Sequence, residues 1–216
     1  MKQFAVIGCG RFGSSVAKTL YNEGHDVLVI DKDPVIVQEI ADQVTYAVQV
    51  DTIDESALKS LGLTNYDVVI VSIGADIQAS ILTTLICKEI GVKKIIAKAQ
   101  TEIHGRLLNK VGADSVVFPE RDMGVRVAHN LVSPSILDYI ELSPDYSIVE
   151  ISVLDEWEGK SLLDLRLPSK YGVNILAIKH ENDINISPNA NYKIVLGDVL
   201  VVIGNNKDLS KFEERA

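Results

Sequence analysis

Residues 2–33, KQFAVIGCGRFGSSVAKTLYNEGHDVLVIDKD, decide the fold. A short apolar run, Phe4–Ile7, enters Gly8-x-Gly10-x-x-Gly13, and helical periodicity follows over Ser14–Asn22. A second apolar run, Val27–Ile30, then ends on Asp31. Three glycines at this spacing recur by chance. A strand before them, a helix after them and an acid closing the next strand supply the context of a nucleotide-binding βαβ unit. Gly8 serves the tight turn, Gly10 lets phosphate oxygens approach backbone N–H groups, and Gly13 lets the helix pack closely on the strand. The helix N-terminus adds partial positive charge. Asp31 is placed to accept the hydroxyls of an adenosine ribose and to repel a 2′-phosphate, which disfavours NADP. Arg11, inside the loop, is within reach of a nucleotide's distal phosphates.

Working outward, further β-branched runs occur at Ala47–Val50, Val68–Val71, Ile95–Ala97 and Val116–Phe118. Helical periodicity separates them at Val35–Ala41, Glu55–Leu61, Ala79–Ile90 and Ile103–Val111. Hydrophobicity that is continuous rather than alternating is what strands covered on both faces require. The expectation is a Rossmann-like, doubly wound parallel α/β sheet over residues 1–118. Gly24, Gly62, Gly91 and Gly112 fall where helices must stop, and Asp54 and Asp76 read as N-caps. Ligands of such sheets lie across the carboxyl ends of the strands. Those ends carry polar groups here: Asp51, Ser72-Ile73-Gly74-Ala75, Lys98-Ala99-Gln100 and Pro119-Glu120-Arg121-Asp122.

Beyond residue 118 the pattern changes. Residues 119–140 read as connecting helices, with Asp122–Leu131 helical and Ser133-Pro134 as its stop. Residues 141–216 read as a small α+β lobe: strand runs at Ser147–Val153, Asn174–Lys179, Asp183–Ile186 and Asp198–Ile203, a turn at Glu181-Asn182-Asp183, and a closing helix over Lys207–Glu214. Met123, Val125, Val127 and Leu131 would leave the connecting helix apolar on its surface, the mark of a self-association interface.

The formal charge of −9, with Lys and Arg scattered, opposes a nucleic-acid partner and an anionic bilayer surface. Cys9 and Cys87 sit in apolar surroundings and read as buried reduced thiols. No apolar run approaches membrane-spanning length and the first residues carry no signal-peptide pattern, so the chain is expected to be cytosolic. Hydride-transfer chemistry would need a proton donor or acceptor beside an orienting carboxylate. Of the four histidines, His25, His129 and His180 sit in no motif with a partnered acid, and His104 follows the polar end of the fifth strand. No Cys/His spacing suits zinc, and no nucleophile elbow or Walker lysine occurs.

The segments GCGRFG (8–13), GADIQASILTTLICKEIG (74–91), AKAQTEIHGRLLNKVGAD (97–114) and FPERDMGVRVA (118–128) resemble the RCK, or KTN, family that regulates K+ conductance. The likeness is strongest to KtrA/KtrC-type regulatory subunits of bacterial Ktr potassium uptake systems. GKSLLDLRLPSKYGVNILAIKHENDINISP (159–188) and GDVLVVIG (197–204) are similar to that family's second domain, RCK_C or TrkA-C. The resemblance implies a homo-octameric ring on the inner face of the cell membrane, docked on a membrane potassium transporter subunit of the KtrB/KtrD type. ATP and ADP would set its shape, and NAD(H) would use the same groove. Carried over by motif position, the nucleotide contacts are Arg11 and Phe12, Asp31-Lys32-Asp33, Asp51-Thr52, Ile73-Gly74-Ala75, Lys98-Ala99-Gln100, His104 and Glu120. The resemblance also implies that Arg11 meets the γ-phosphate across a dimer interface and that Glu120 helps to hold a metal cation beside the phosphates.

In such proteins the second domain can bind cyclic di-AMP at a dimer interface, typically with Asp-Leu-x-x-Arg before Lys-Tyr-Gly. This chain has Asp164-Leu165-Arg166-Leu167-Pro168, so Pro168 holds the arginine's position, with Arg166 as the neighbouring cation and Ile175 and Pro188 as wall residues. Three readings stand on sequence: a regulatory subunit gating a K+ transporter, a small NAD(H)-dependent oxidoreductase, and a free-standing NAD(H) sensor.

Overall fold

A strand whose residues are all apolar is stable only where both of its faces are covered. In the computed structural model, which describes residues 1–132, 136–181 and 183–213, the first half of the chain provides that cover. β1 (Gln3–Ile7), β2 (Asp26–Asp31), β3 (Tyr46–Gln49), β4 (Val68–Val71), β5 (Ile95–Lys98) and β6 (Ser115–Val117) form one parallel sheet in the order β3-β2-β1-β4-β5-β6. Ala5, Ile7, Leu28, Ile30, Val69 and Val71 bury on one face. There they meet Leu58 of α3 (Glu55–Ser60), Ile86 and Cys87 of α4 (Ile77–Glu89), and Leu108 of α5 (Glu102–Val111). The intervening Val6, Val27, Val29 and Ile70 bury on the other face with Ala17 of α1 (Arg11–Asn22) and Ile40 of α2 (Pro34–Ile40). The doubly wound expectation holds. Strand order reverses between β1 and β4, and their carboxyl ends open the crevice where such folds bind ligands.

Local signals behave as read. Asp54 and Asp76 accept from the N–H groups of Ala57 and Ala79 as N-caps of α3 and α4. Gly24, Gly62, Gly91 and Gly112 all take positive φ. Gly112, at φ 116°, is required twice over, because a Cβ would also lie 2.5 Å from Cγ of Lys88. Cys9 and Cys87 are free and buried, and burial pushes their thiols up to about 11 and about 12.

The chain divides into two compact units after Glu120, inside α6 (Pro119–Val132). Here the structure corrects the expectation of helices across 119–140. One helix is present, and β7 (Ile136–Ser143) is a strand. The cause is the Pro144-Asp145 reversal, which folds β7 back on β8 (Tyr146–Ser152) with Ser143 opposite Tyr146. The Ser133-Pro134 stop, Asn182 of the 181–183 turn and Glu214 of the closing helix lie outside the described residues. β9 (Val173–His180), β10 (Asp183–Asn185) and β11 (Asp198–Asn205) complete an antiparallel sheet in the order β10-β9-β11-β8-β7. One face carries Val149, Ile151, Val173, Ile178, Leu200 and Val202. It packs on Trp157 and on Leu165, Leu167, Tyr171 and Leu209 from α7 (Leu162–Leu165), α8 (Leu167–Tyr171) and α9 (Asn206–Glu213). This is the expected α+β lobe.

A buried acid ties that lobe together. Asp198 is 1% exposed. Its Oδ2 accepts from the Tyr192 hydroxyl and from the Val195 N–H, each at 3.0 Å, and its Oδ1 lies 2.7 Å from Nδ1 of His180. This corrects the reading of His180 as lacking an acid partner: β9–β11 pairing sets His180 directly opposite a residue 18 positions away. Burial and the bond to Asp198 raise the Tyr192 pKa, so the phenol stays a proton donor. Asp198→Ala leaves the half-buried Tyr192 phenol and the Val195 N–H without their acceptor, at an expected cost of about 1–3 kcal/mol. Urea unfolding followed through Trp157 fluorescence should show the midpoint fall accordingly, and an unchanged midpoint would remove Asp198 from this role.

Candidate nucleotide-binding site

The glycine loop is held by bonds from three strands. Gly8 N–H donates to the Ile30 carbonyl, and Ser72 N–H donates to the Ile7 carbonyl, each at 2.8 Å. The Ser72 hydroxyl donates to the Gly8 carbonyl. Asp31, 9% exposed, spends one carboxylate oxygen on the Cys9 N–H (2.6 Å) and the other on the Asp33 N–H (3.0 Å). Asp31 therefore shapes the loop besides facing the cavity. Gly13 shows why α1 needs a glycine there: a Cβ would lie 2.1 Å from the Gly8 carbonyl oxygen and 2.4 Å from the Ser72 hydroxyl.

Gly10 is different. Nothing lies within 4 Å of where its Cβ would be, and its φ of −65° is open to any residue. It is the N-cap of α1 and, having no side chain, offers no capping bond; the first turn of α1 carries no acid. Side chains of Asp33, Asp54, Asp76 and Thr101 cap α2, α3, α4 and α5. The start of α1 thus presents uncapped N–H groups and a positive dipole end with space in front of them, the fit that a phosphate requires.

A cavity of about 350 Å³ opens at this point. Of the residues singled out from sequence, Gly8, Gly10, Asp31, Lys32, Asp51, Thr52, Ser72, Ile73, Gly74 and Ala75 line it. Ile36, Ile53, Asp76 and Ala79 join them; the first two are apolar walls from α2 and from the turn after β3, which no motif marks. Thr52 is held from behind, its carbonyl accepting from the buried Thr83 hydroxyl of α4 at 2.9 Å.

Lys98 and Gln100 converge on the same place from β5. Lys98 Nζ and Gln100 Nε2 come to 3.5 and 3.6 Å from where a Cβ of Gly74 would stand. Lys98 Nζ also lies 5.7 Å from the Phe12 ring centre and pairs with Glu120 at 2.5 Å. The Lys98 bond holds the Glu120 carboxyl below its ordinary pKa, burial opposes this, and the Arg11 charge adds to the lowering. Arg11, Phe12, Lys98, Gln100 and Glu120 therefore form one group beside the glycine loop.

Arg11, Phe12, Lys98, Gln100 and Glu120 stand beside the cavity rather than in its lining, and four further singled-out residues belong to neither. Gly13 lies under the loop. Asp33 accepts from the Val35 N–H as the cap of α2. Ala99 is buried at 1% exposure, its N–H bonded to the Val117 carbonyl. His104, also 1% exposed, sits beneath the strand ends. Burial lowers its pKa, so the neutral ring accepts the Gln100 N–H at Nδ1, and its Nε2 has no partner among the described residues. The cation expected at Glu120 has no protein-only ligand set: among the described residues no three His, Cys, Asp or Glu converge on a metal position. In the second unit Arg166 is the exposed left-handed residue (φ 47°) between α7 and α8, and Pro168 stands at the start of α8.

The two inner glycines should separate in a melting experiment. Gly13→Ala forces backbone apart and is expected to cost about 3 kcal/mol, whereas Gly10→Ala should leave the melting temperature of the ligand-free protein within a degree or so. Equal destabilisation by both would contradict the open space assigned to Gly10.

Comparisons with known proteins agree with this architecture. Residues 4–119 match the TrkA-N domain and residues 147–216 the TrkA-C domain. The chain is 52% identical to Ktr system potassium uptake protein C of Bacillus subtilis (strain 168) over 99% of its own length and 97% of that protein. It is 47% identical to Ktr system potassium uptake protein A of the same organism, over 98% and 96%. Among solved structures the GsuK channel superposes with a TM-score of 0.71 at 18% identity, over 98% of this chain and 39% of that one, a likeness of fold. With both domains matched in order and half its residues shared with these proteins, the chain belongs to the RCK (KTN) family, alongside the regulatory subunits of bacterial Ktr potassium uptake systems.

Proposed function

We propose that the chain is a cytoplasmic, nucleotide-sensing subunit that gates a membrane potassium transporter of the KtrB/KtrD type according to whether ATP or ADP occupies the glycine loop. What supports this reading is the uncapped start of α1, facing open space, in a chain half-identical to potassium uptake proteins. The backbone of residues 10–12 and Arg11 would hold phosphates. Asp31 would take the ribose, since each carboxylate oxygen keeps acceptor capacity beyond its one backbone bond. Ile36 and Ile53 would flank the base. Asp76 places a negative charge at the start of α4 and so directs phosphates to α1 alone. NAD(H) would share the adenosine half of the groove. In the second unit, Arg166, Ile175 and Pro188 are the residues we assign to a cyclic dinucleotide.

A regulatory reading is favoured over an oxidoreductase by where the histidines stand. His25 packs against Phe4, His104 lies beneath the strand ends, and His180 pairs with Asp198 in the other unit. None of these three lines the cavity; the His129 side chain lies outside the described residues. No helix among the described residues is long and apolar enough to cross a membrane. Attachment through a transporter subunit supplies the membrane connection. Flux through that transporter, reconstituted with the purified chain, should be higher in ATP than in ADP. Equal flux in ATP, ADP and no nucleotide, or turnover of NADH with a carbonyl substrate, would reject the proposal.

A ring also requires self-association. Met123, Val127 and Leu131 recur at four-residue spacing on α6 and are 54, 48 and 76% exposed, with Val125 at 45%. Sedimentation at micromolar concentration should show an oligomer, the proposed octamer, and Val127→Glu with Leu131→Glu should dissociate it. A monomeric wild-type mass would refute the ring.

Arg11→Ala should weaken ATP by about ten- to a hundred-fold more than ADP, because a charge-assisted contact to the terminal phosphate contributes ~1.5–3 kcal/mol. A ligand shifts a conformational equilibrium only through its differential affinity for the two states, so ATP and ADP can act differently only if the site contacts them differently. Calorimetric titration of both nucleotides is the check; equal losses would show that Arg11 does not read the γ-phosphate.

A further inference from the structure

Part of the cavity wall is built from two pieces of chain that are distant in sequence. Asp51, Thr52 and Ile53 come from the turn between β3 and α3, and Asp76 and Ala79 come from the start of α4. The turn is tied to the sheet by the Val50 N–H on the Asp31 carbonyl and closed on itself by the Asp54 N–H on the Asp51 carbonyl, each at 3.0 Å. Neither bond sets its distance from α4. Among the described residues one hydrogen bond does: the Thr83 hydroxyl, in the second turn of α4, donates to the Thr52 carbonyl at 2.9 Å. Thr83 is wholly buried and lies outside the cavity lining. A helical threonine commonly returns its hydroxyl to the carbonyl four residues back, as Thr84 does to Ser80 at 2.8 Å. Thr83 instead reaches a carbonyl 31 positions away, and that carbonyl belongs to a residue of the cavity wall.

We infer that Thr83 is a positioning residue for the base end of the site: its hydroxyl sets how far the Asp51–Ile53 turn stands from Ala79, and so the width of the slot for a flat purine. This rests on the nucleotide reading above, which places phosphates at α1 and the base beside Ile53. Thr83 touches no ligand itself and acts through the turn. A buried carbonyl that loses its donor has to turn toward another partner, and Asp51 and Ile53 move with Thr52 because they share its peptide planes. The phosphate end is held separately, by bonds among Gly8, Ile30, Ile7, Ser72, Cys9 and Asp31 in which the turn takes no part. Loss of the hydroxyl therefore falls on the part of the ligand that ATP and ADP have in common.

The experiment titrates ATP and ADP into the full-length protein and into Thr83→Val, Thr83→Ala and Thr83→Ser, well below the melting midpoint of each. Thr83→Val keeps the shape and removes the donor, Thr83→Ala removes the donor in a smaller side chain, and Thr83→Ser keeps the donor. Expected is a loss of about five- to ten-fold for the two donor-free variants, the scale of one buried hydrogen bond, by the same factor for ATP and for ADP. Thr83→Ser should restore binding to about two-fold of wild type, which a role in packing alone would not do. Unchanged affinity in the donor-free variants would overturn the inference and leave the nucleotide reading standing. An equal loss in Thr83→Ser would overturn it by showing that packing matters and the hydroxyl does not. A larger loss for ATP than for ADP would overturn it as well, by placing the effect at the phosphate end. If the wild-type protein binds neither nucleotide, the nucleotide reading falls first and the inference falls with it.

Discussion

The site depends on how closely α1 is laid against the loop that begins it. The position a Gly13 Cβ would take is occupied by the Gly8 carbonyl oxygen and the Ser72 hydroxyl, so β1, β4 and α1 meet at a point where only backbone fits. The loop is then fixed by Asp31 from β2, which accepts the N–H groups of Cys9 and Asp33. Three strands and one helix are joined by a few short polar contacts inside a doubly covered apolar sheet. The N–H groups of α1 are consequently aimed at the crevice before any ligand arrives, and this preorganisation reduces the entropy lost on binding.

An acidic protein that offers an anion site has to concentrate its positive potential. The chain carries a formal charge of −9, and the cavity walls include Asp31, Asp51 and Asp76. Positive potential comes from the uncapped start of α1, from Arg11, and from Lys98 at the edge of the group. Acids and cations both border the crevice, which suits a ligand that carries both hydroxyls and phosphates. Helix capping serves the same division, since Asp76 satisfies α4 while α1 is left open.

The second unit is stabilised by other means. Its sheet is antiparallel, buries one face, and relies on Trp157, Tyr171 and the aliphatic residues of β8, β9 and β11. Asp198 fastens the 192–195 segment to the β9–β11 pair through bonds that offset the burial of its carboxyl group. His180 enters this network only because antiparallel register sets it opposite Asp198.

The sequence by itself determined the elements whose signals are local. The parallel sheet was legible because strands covered on both faces must be apolar throughout, and helix ends were legible at Asp54, Asp76 and Gly112 because capping chemistry acts within a few residues. The glycine loop was legible from its motif, and Asp31, Asp51 and Ser72–Ala75 of the cavity lining from the rule that strand ends face the crevice, while Lys32 and Thr52 came from the family resemblance. Tertiary structure decided what depends on partners distant in the chain. Ile136–Ser143 became a strand because β8 was there to pair with it, and His180 gained an acid through register. Ile36 and Ile53 reached the cavity through packing that no motif encodes, while Asp33, Ala99 and His104 turned to capping, core and support. The Lys98–Glu120 pair, 22 residues apart, is of this kind: its charges are visible in the sequence, but the burial that obliges them to meet exists only in the fold.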